Sequence, residues 1–283
     1  MEEHTPRKRF GQNFLTDSGI IEKIVRYIAP EPTDNLIEIG PGQGAITIPL
    51  LAMCSHLNVV ELDRDLVARL TLLKGQYPDL TIHQGDALAF DFSTLACEEG
   101  ETKSLRILGN LPYNISTPLI FHLLSFSDIV KDMHFMLQKE VVERMAAKEG
   151  SKTYGRLSVM VQYACKVTNL FPVPPECFNP RPKVDSAIVR LEPYQDFPYP
   201  ADNLDLFKKL VNTCFQHRRK TLRNNLRALI SKEAIEQLDS KSKSDDKTQN
   251  FSIDMARRPE TLSVVEYVNL ANTLHRDYKD ELL

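Results

Sequence analysis

Three features of the sequence predict an α/β fold in a first domain, followed by a smaller all-helical domain. Short apolar segments rich in Val, Ile and Leu alternate with helical patterns between Asp34 and Leu191. Turn residues follow these segments, and the pattern beyond residue 200 is mainly that of amphipathic helices. We therefore expect domains at residues 1–195 and 201–283, joined by the proline-rich segment Glu192–Pro200.

The order of the elements predicts a mainly parallel sheet with crossover helices. The expected strands are Asn35–Ile39, Leu57–Glu61, Leu80–Gln84, Leu105–Asn110 and Lys131–Gln138. Asp63 is a candidate helix N-cap, and Ser116-Thr117-Pro118 is expected to open a helix. The prolines of Phe171–Lys183 predict a stiff loop, which leads into a further strand at Val184–Leu191. Right-handed crossovers place the carboxyl ends of the parallel strands at one sheet edge, where ligands bind.

The composition is that of a cytoplasmic protein. The 283 residues are 42% hydrophobic and carry a formal net charge of -3. No apolar run approaches the ~18 residues that a membrane helix needs, and the polar N-terminus lacks the apolar core of a signal peptide. The five cysteines are scattered without a Cys-x-x-Cys motif, so we expect neither a disulfide framework nor a metal site.

A basic segment contrasts with the mildly acidic chain. Between Leu206 and Ile230 there are seven Lys or Arg residues and no Asp or Glu. The seven are Lys208, Lys209, Arg218, Arg219, Lys220, Arg223 and Arg227. Such a run is commonly a solvated helix face, but the lack of compensating acids over this length favours a polyanionic partner.

A glycine-rich turn, Gly40-Pro41-Gly42-Gln43-Gly44, directly follows the first predicted strand. Glycines allow a tight turn and let a ligand approach the main chain. The spacing Gly-x-Gly-x-Gly differs from the Gly-x-Gly-x-x-Gly of dinucleotide sites. It disfavours a pyrophosphate and favours the amino-acid part of S-adenosylmethionine, although a purely structural turn is the alternative.

Carboxylates follow the next two strands. Glu61 ends the second strand, where it can accept hydrogen bonds from both ribose hydroxyls, and Asp86 follows the third, where it can accept from an adenine amine. Either acid alone could simply cap a helix. Three such features at successive strand ends predict a Rossmann-like, S-adenosylmethionine-dependent methyltransferase domain.

The most specific motif is Asn110-Leu111-Pro112-Tyr113 at the end of the fourth strand. An adenine amine is a poor nucleophile because its lone pair is delocalised into the ring. The Asn110 side-chain oxygen and the Leu111 carbonyl, held extended by Pro112, can accept from that amine. Tyr113 can stack on a single-stranded or flipped base. The motif therefore predicts methylation of an adenine amine.

With these motifs the chain resembles the ribosomal RNA adenine N6-dimethyltransferases, and in particular the small-subunit (16S) branch associated with kasugamycin resistance. The resemblance runs almost end to end. It is carried by Arg9–Leu15, the glycine turn, Glu61, Gly85–Ala87, Gly109–Ser116, Gln138–Glu140, Gly155–Ser158 and Phe178–Ser186.

The resemblance implies roles for individual residues. Residues 1–33 would form a segment and helix that close over cofactor and RNA, with Asn13 and Leu15 covering the cofactor. Gly40 and Gly42 would line its methionine end. The remaining implied roles are ribose binding by Glu61, recognition of the cofactor adenine by Asp86 and Ala87, a position between cofactor and substrate for Asn110, and stacking of Phe178 on the target base opposite Tyr113.

The implied reaction is dimethylation of two adjacent adenosines in the 3′-terminal hairpin loop of small-subunit rRNA, on an assembling subunit. We expect S-adenosylmethionine as methyl donor, no metal, no membrane partner and a monomer. Expected RNA contacts are Arg7, Lys8, Arg9, Arg181, Lys183, Arg218, Arg219, Lys220, Arg223 and Arg227. From its sequence position alone, Phe178 would more simply be a core aromatic residue.

Two alternatives remain open from the sequence. One is the antibiotic-resistance methyltransferase of large-subunit rRNA, which shares the cofactor and base motifs. Leu111 and the Phe178–Ser186 segment favour the small-subunit enzyme instead. The other is a non-catalytic RNA-binding assembly or transcription factor on the same fold, which the intact set of cofactor residues disfavours.

Overall fold

A computed structural model of the chain describes residues 12–96, 104–242 and 253–282. The chain divides into two compact units. The first comprises Met1–Val142 and Lys166–Gln195, and the second comprises Glu143–Cys165 and Asp196–Leu283. Residues 143–165 thus cluster with the C-terminal segment, whereas the domain limits of 195 and 201 stay predictions.

The strands of the first unit form a seven-stranded sheet and a two-stranded pair among the described residues. The strands are β1 (Phe14–Leu15), β2 (Asn35–Ile39), β3 (Leu57–Glu61), β4 (Leu80–Gln84), β5 (Leu105–Asn110), β6 (Val130–Gln138), β7 (Cys165–Val173), β8 (Phe178–Asn179) and β9 (Ser186–Pro193). The large sheet has the order β4-β3-β2-β5-β6-β9-β7, and β1 pairs with β8.

The predicted central strands agree with the structure. The first four have the predicted bounds, and β6 starts one residue earlier. The pairs among β2 to β6 are parallel, as expected, but β9 runs antiparallel to β6. Strand β7 was not predicted. It lies at the edge of the sheet, the position to which a strand proline such as Pro172 is normally confined.

The stiff loop predicted for Phe171–Lys183 is only partly correct. Residues 171–173 end strand β7, a 3-10 turn covers Pro175–Cys177, and β8 follows. The proline at the start of the 3-10 turn lacks only an N–H that such a start leaves unpaired. The segment is therefore ordered through its pairing with β1 rather than through its prolines alone.

The strand order reverses between β2 and β5. From β2 the chain moves outward to β3 and β4, and it then returns to β5 on the other side of β2. Ligands bind in α/β sheets outside the carboxyl ends of the strands at such a point. Gly109 makes the approach possible, since a Cβ there would overlap the Ile39 carbonyl oxygen.

Helices begin at the residues that the sequence marks. The α-helices of the described residues are α1 (Ser18–Ile28), α2 (Thr47–Leu51), α3 (Arg64–Lys74), α4 (Ser116–Leu124), α5 (Lys139–Met145), α6 (Arg156–Ala164), α7 (Leu204–Gln216), α8 (Leu222–Leu226), α9 (Lys232–Ser242) and α10 (Val264–Asp277). The Asp63 side chain accepts from the Asp65 N–H as the N-cap of α3, and α4 opens at Ser116; both predictions are confirmed.

The second unit has a helical core of its own. Helices α6, α7 and α10 contact one another, and Tyr154, Tyr267 and Phe207 are fully buried there. The rings of Tyr163 and Phe207 lie 4.5 Å apart. The expectation of a helical C-terminal segment is thereby met.

A buried ion network fixes β5 to its neighbours. Arg106 donates to both carboxylate oxygens of Asp132 on β6, at 3.0 and 2.9 Å, and also to Asp34. The same guanidinium donates to the carbonyls of Ile28 and Ala29 at the end of α1, which have no further helical partner. Burial acts to raise the pKa of Asp34, but hydrogen bonds and the Arg106 charge outweigh it and lower that pKa.

We predict that Arg106→Met lowers the free energy of unfolding by roughly 3–5 kcal/mol, because two buried carboxylates lose their cation. The depressed pKa of Asp34 gives stability that is present above the ordinary aspartate pKa and lost as the pH falls through its folded value. The difference in the free energy of unfolding between the variant and the wild type should therefore become smaller at acidic pH. Urea unfolding at several pH values measures this.

Arg190→Met is the matched control, because Arg190 lies 3.6 Å from Asp132 but is 38% exposed. We expect a loss of less than about 1 kcal/mol for this variant. Equal losses for the two variants would contradict the central role of Arg106.

Candidate active site

A cavity of about 270 Å³ opens at the carboxyl ends of β2, β3, β4 and β5. It lies where the strand order reverses, as the sequence predicted for a ligand site. Every residue predicted to bind the cofactor lines it, as do four of the five predicted catalytic residues. The cofactor residues are Asn13, Leu15, Gly40, Gly42, Glu61, Asp86, Ala87 and Asn110, and the catalytic residues are Asn110, Leu111, Pro112 and Tyr113.

The glycine turn forms the floor of the cavity beside residues 12–16, which we call the N-terminal segment. Gly42 has a φ of +58°, which a side chain would strain, and the Phe14 ring lies 3.1 Å from the place where a Cβ would stand. A ligand here meets main chain on one side and the Phe14 ring on the other.

Glu61 organises the turn as well as facing the cavity. Its carboxylate accepts hydrogen bonds from the Gly42 N–H at 3.3 Å and from the Asp63 N–H at 2.9 Å. Burial raises the pKa of Glu61, although these hydrogen bonds oppose the rise. The acid therefore lies at the end of β3 in a fixed orientation.

Asp86 and Ala87 lie in the turn after β4. Asp86 is exposed, and its Oδ1 accepts from the Leu88 N–H at 3.0 Å. Ala87 is buried next to it. The capping bond uses one carboxylate oxygen of Asp86, so the other can accept from a ligand amine.

Glu38 is a cavity residue that the sequence reasoning did not single out. It is the penultimate residue of β2 and is only 2% exposed. Its Oε2 accepts a hydrogen bond from the Thr47 hydroxyl at 2.6 Å. Burial raises its pKa to about 7, and repulsion by Glu61 adds to this rise. The sequence does contain a sign of this residue, because Glu38 is an acid within the otherwise apolar run of β2.

The charge of the cavity selects its ligand. Four carboxylates line it, those of Glu38, Glu61, Asp63 and Asp86, whereas none of the described lining residues is Lys, Arg or His. A phosphate would meet no cation there, while a positively charged ligand would be stabilised. This agrees with the glycine spacing, which disfavours a pyrophosphate.

The N-terminal segment covers part of the cavity. Gln12 donates to the Asp63 carboxylate at 3.1 Å, and the Asn110 side-chain amide donates to the Asn13 carbonyl at 2.9 Å. The Thr16 N–H and hydroxyl both bind the Cys177 carbonyl, and Leu15 pairs with Phe178. The segment is thus tied to the N-cap of α3, to β5 and to β8.

The Asn110–Tyr113 motif forms the wall beside the glycine turn. Asn110 lines the cavity, and because its amide nitrogen donates to Asn13, its Oδ1 is left as the acceptor of that side chain. Leu111 is 1% exposed, and its N–H donates to the Met136 carbonyl at 3.2 Å, so only its main chain can serve the cavity. Tyr113 is half-buried, and its hydroxyl lies 2.8 Å from that of Ser186.

Phe178 is not brought to the cavity wall. It is 3% exposed and packs in the apolar cluster that includes Leu15 and Ile24. Its position is that of a core aromatic residue, the simpler interpretation of the sequence. Stacking of Phe178 on a base stays a prediction.

The predicted RNA contacts differ in their surroundings. Arg7, Lys8 and Arg9 lie outside the described residues. Arg181 and Lys183 are exposed between β8 and β9. In the second unit Arg218 lies near Glu260 and Arg223 pairs with Asp239, whereas Arg219, Lys220 and Arg227 are exposed. Part of the basic segment is thus neutralised within its own unit.

Within residues 12–96, 104–242 and 253–282, no cluster of three metal-ligating side chains occurs. The same residues include no helix that is long and apolar enough to cross a membrane.

The chain is similar over most of its length to proteins of one family. Residues 3–270 match the family model described as ribosomal RNA adenine dimethylase. The ribosomal RNA small subunit methyltransferase A of Saccharophagus degradans is 60% identical over 97% of this chain and 96% of its own length. The protein of the same name from Chromohalobacter salexigens is 57% identical over 95% and 91%.

Solved structures confirm the predicted fold class. A dimethyladenosine transferase from Plasmodium falciparum superimposes with a TM-score of 0.73 and 28% identity, over 95% of this chain and 99% of that one. The 23S rRNA methyltransferase ErmE gives a TM-score of 0.68 at 20% identity, over 93% and 100%, a likeness that shows the fold alone.

We predict that Glu38→Gln makes the folded protein more stable above neutral pH. The raised pKa of Glu38 means that the folded state holds its proton more tightly, so stability is lost as the pH rises from 4.5 to about 7. The glutamine keeps the acceptor for Thr47 and removes this loss, which is roughly 3 kcal/mol. Urea unfolding across that range, without ligand, measures it.

Glu22→Gln, on the exposed side of α1, serves as control and should leave the pH profile unchanged. If the free energies of unfolding of Glu38→Gln and the wild type differed by the same amount at every pH, Glu38 would not titrate between pH 4.5 and about 7.

Proposed function

This chain belongs to the ribosomal RNA adenine dimethylase family, and we propose that it dimethylates N6 of two adjacent adenosines in the 3′-terminal hairpin loop of small-subunit (16S) rRNA, using S-adenosylmethionine. The observation that carries the proposal is one cavity that joins an acidic ligand site to the Asn110–Tyr113 motif. The donor and the acceptor amine would meet at Asn110.

The cavity fits the proposed donor by charge and by shape. When bound, S-adenosylmethionine supplies an electrophilic methyl group on a positively charged sulfur. Glu38 and Glu61 provide negative potential in a buried environment, where electrostatic stabilisation is stronger than in water. Gly42 leaves room for main-chain approach, and Glu61 and Asp86 offer acceptors for hydroxyl and amine groups.

The acceptor wall suits an adenine amine. Asn110 Oδ1 and the Leu111 carbonyl accept from its two hydrogens, which leaves the nitrogen lone pair directed at the methyl group. The proton leaves the nitrogen after transfer, so no strong base is required. The ring of Tyr113 offers a stacking face for a base turned out of its helix.

The choice between the two ribosomal subunits follows from the relatives. Proteins named for the small subunit are 60% and 57% identical to this chain, whereas the 23S enzyme is 20% identical. We therefore favour the small-subunit substrate over the large-subunit alternative. The complete cofactor set favours an active enzyme over a non-catalytic assembly factor.

The proposed setting is an assembling small subunit in the cytoplasm, with the protein acting as a monomer. The exposed Arg219, Lys220 and Arg227 would contact rRNA phosphates, together with Arg181 and Lys183. Arg218 and Arg223 would contribute less, since each lies beside an acid of its own unit.

We predict that Asn110→Ala lowers methyl transfer by more than about 100-fold without unfolding the protein, because it removes an acceptor aimed at the reacting amine. The assay maps dimethyladenosine at the 3′ end of small-subunit rRNA, using subunits from a strain that lacks the enzyme. Thermal unfolding of the variant should remain close to wild type.

Asn169→Ala, on the exposed face of edge strand β7, is the matched control and should retain full transfer. Near-wild-type turnover by folded Asn110→Ala would refute the role of Asn110. Methyl label found only in the large subunit would refute the proposed substrate.

We predict that Arg219→Glu and Lys220→Glu each weaken subunit binding and reduce its salt dependence by about one phosphate contact. Lys74→Glu, an equal charge change at the exposed end of α3, should leave the slope unchanged. Binding measured over a range of KCl concentrations tests this. Equal slopes for all three variants would make the basic segment a solvated helix face.

A further inference from the structure

Tyr113 is held at both ends. Its carbonyl accepts from the Ser116 hydroxyl at 3.2 Å at the start of α4, and its phenol oxygen lies 2.8 Å from the Ser186 hydroxyl. Ser116 fixes the main chain, but it leaves the ring free to turn about its side-chain bonds. The hydrogen bond to Ser186 therefore fixes where the ring lies, because it holds the phenol oxygen at the far end of the ring.

Ser186 is placed rigidly enough to act as an anchor. It is the first residue of β9, is fully buried, and is paired with Gln138 of β6. The peptide before it is fixed as well, because the Asp185 carbonyl accepts from the Lys139 N–H at 2.9 Å. The tyrosine ring is the adjustable partner in this bond, and the serine is the fixed one.

The Ser186 hydroxyl has no evident second purpose. Among the described residues its hydrogen-bond partner is the Tyr113 hydroxyl, 73 positions away in sequence. A buried hydroxyl normally needs a partner, so the pair satisfies both groups. Burial raises the pKa of Tyr113 by more than the hydrogen bond with Ser186 lowers it, so the phenol stays neutral at ordinary pH.

The position of the Tyr113 ring matters for the proposed reaction. Tyr113 lines the cavity three residues after Asn110, and a base stacked on its ring would be positioned relative to the Asn110 oxygen. Misplacement of a reacting atom by about 1 Å can cost 100-fold in rate. A ring whose phenol end is not held could swing about the Cα–Cβ bond, and it would then present the amine to Asn110 only part of the time.

We propose that Ser186 is a positioning residue for methyl transfer, which holds the Tyr113 ring in its place on the cavity wall, where the target adenine would stack on it. This role rests on the proposed function. Ser186 does not line the cavity, so it acts through Tyr113 and not on the cofactor.

The test is a double-mutant cycle with Ser186→Ala, Tyr113→Phe and the combined variant. We expect each single variant to lower the single-turnover rate roughly five- to tenfold, as the loss of one hydrogen bond permits. The combined variant should be no slower than either, since both changes remove the same bond. S-adenosylmethionine affinity should stay at the wild-type value, and Ser186→Thr, which keeps the hydroxyl, should restore the rate.

A spectroscopic measurement tests the bond without RNA. In protein with ¹³C-labelled tyrosine rings, the signal lost in Tyr113→Phe identifies Tyr113 among the nine tyrosines. That signal should shift in Ser186→Ala, and the pKa of the phenol should rise. Because the chain has no tryptophan, the stacking of 2-aminopurine placed at the target adenosine can also be followed by its fluorescence.

Several results would overturn the proposal. They are additive losses in the cycle, an unchanged Tyr113 signal in Ser186→Ala, or a shifted signal with undiminished transfer. If Ser186→Ala fails to fold, Tyr113→Phe and Ser186→Thr still decide, because only the former should lose rate. Absence of transfer by the wild-type protein would instead overturn the proposed function, and the role of Ser186 with it.

Discussion

The site depends on the close approach of β2 and β5. At Gly109 a side chain would overlap the carbonyl oxygen of Ile39, so glycine alone allows the two strands to lie at this distance. The next residue on each strand is then a functional one, Gly40 on one side and Asn110 on the other. Glycine turn and acceptor motif share one cavity because the sheet reverses its strand order between them.

The acids of the cavity show a conflict between stability and ligand binding. Glu38 and Glu61 are both nearly buried, and burial raises the pKa of each. In the free protein two such groups disfavour the fully ionised state, since neither has a Lys, Arg or His partner in the described lining. A cationic ligand removes the conflict, and sites that bind charged ligands commonly sacrifice some stability in this way.

The segments on either side of the cavity connect its two functions. The N-terminal segment covers the cavity, orients the Asn110 amide and pairs with β8. The chain then passes from β8 through exposed Arg181 and Lys183 to Ser186, which binds Tyr113. Residues 178–186 therefore connect the N-terminal segment, which lines the cavity, with Tyr113 in the acceptor wall. Phe178 lies beneath the N-terminal segment, so its predicted contact with a base requires a side chain that is now buried.

The sequence by itself determined the elements and motifs that depend on local chemistry. The bounds of the central strands follow from apolar runs ended by turn residues, and the cofactor residues stand out because glycines and acids interrupt those runs at strand ends. Asp63 was recognisable as a helix cap because capping involves residues only two or three positions apart.

Only the tertiary structure decided which distant residues meet. Strand β7 escaped prediction because edge pairing tolerates a weak pattern with a proline. Strand β9 was predicted as a strand, but its antiparallel direction was not, because pairing direction has no local signal. Glu38 gained importance only through burial next to Glu61, and Ser186 only through a hydrogen bond to a residue 73 positions away. Burial and long-range pairing arise from packing of the whole unit, which short-range sequence patterns do not specify.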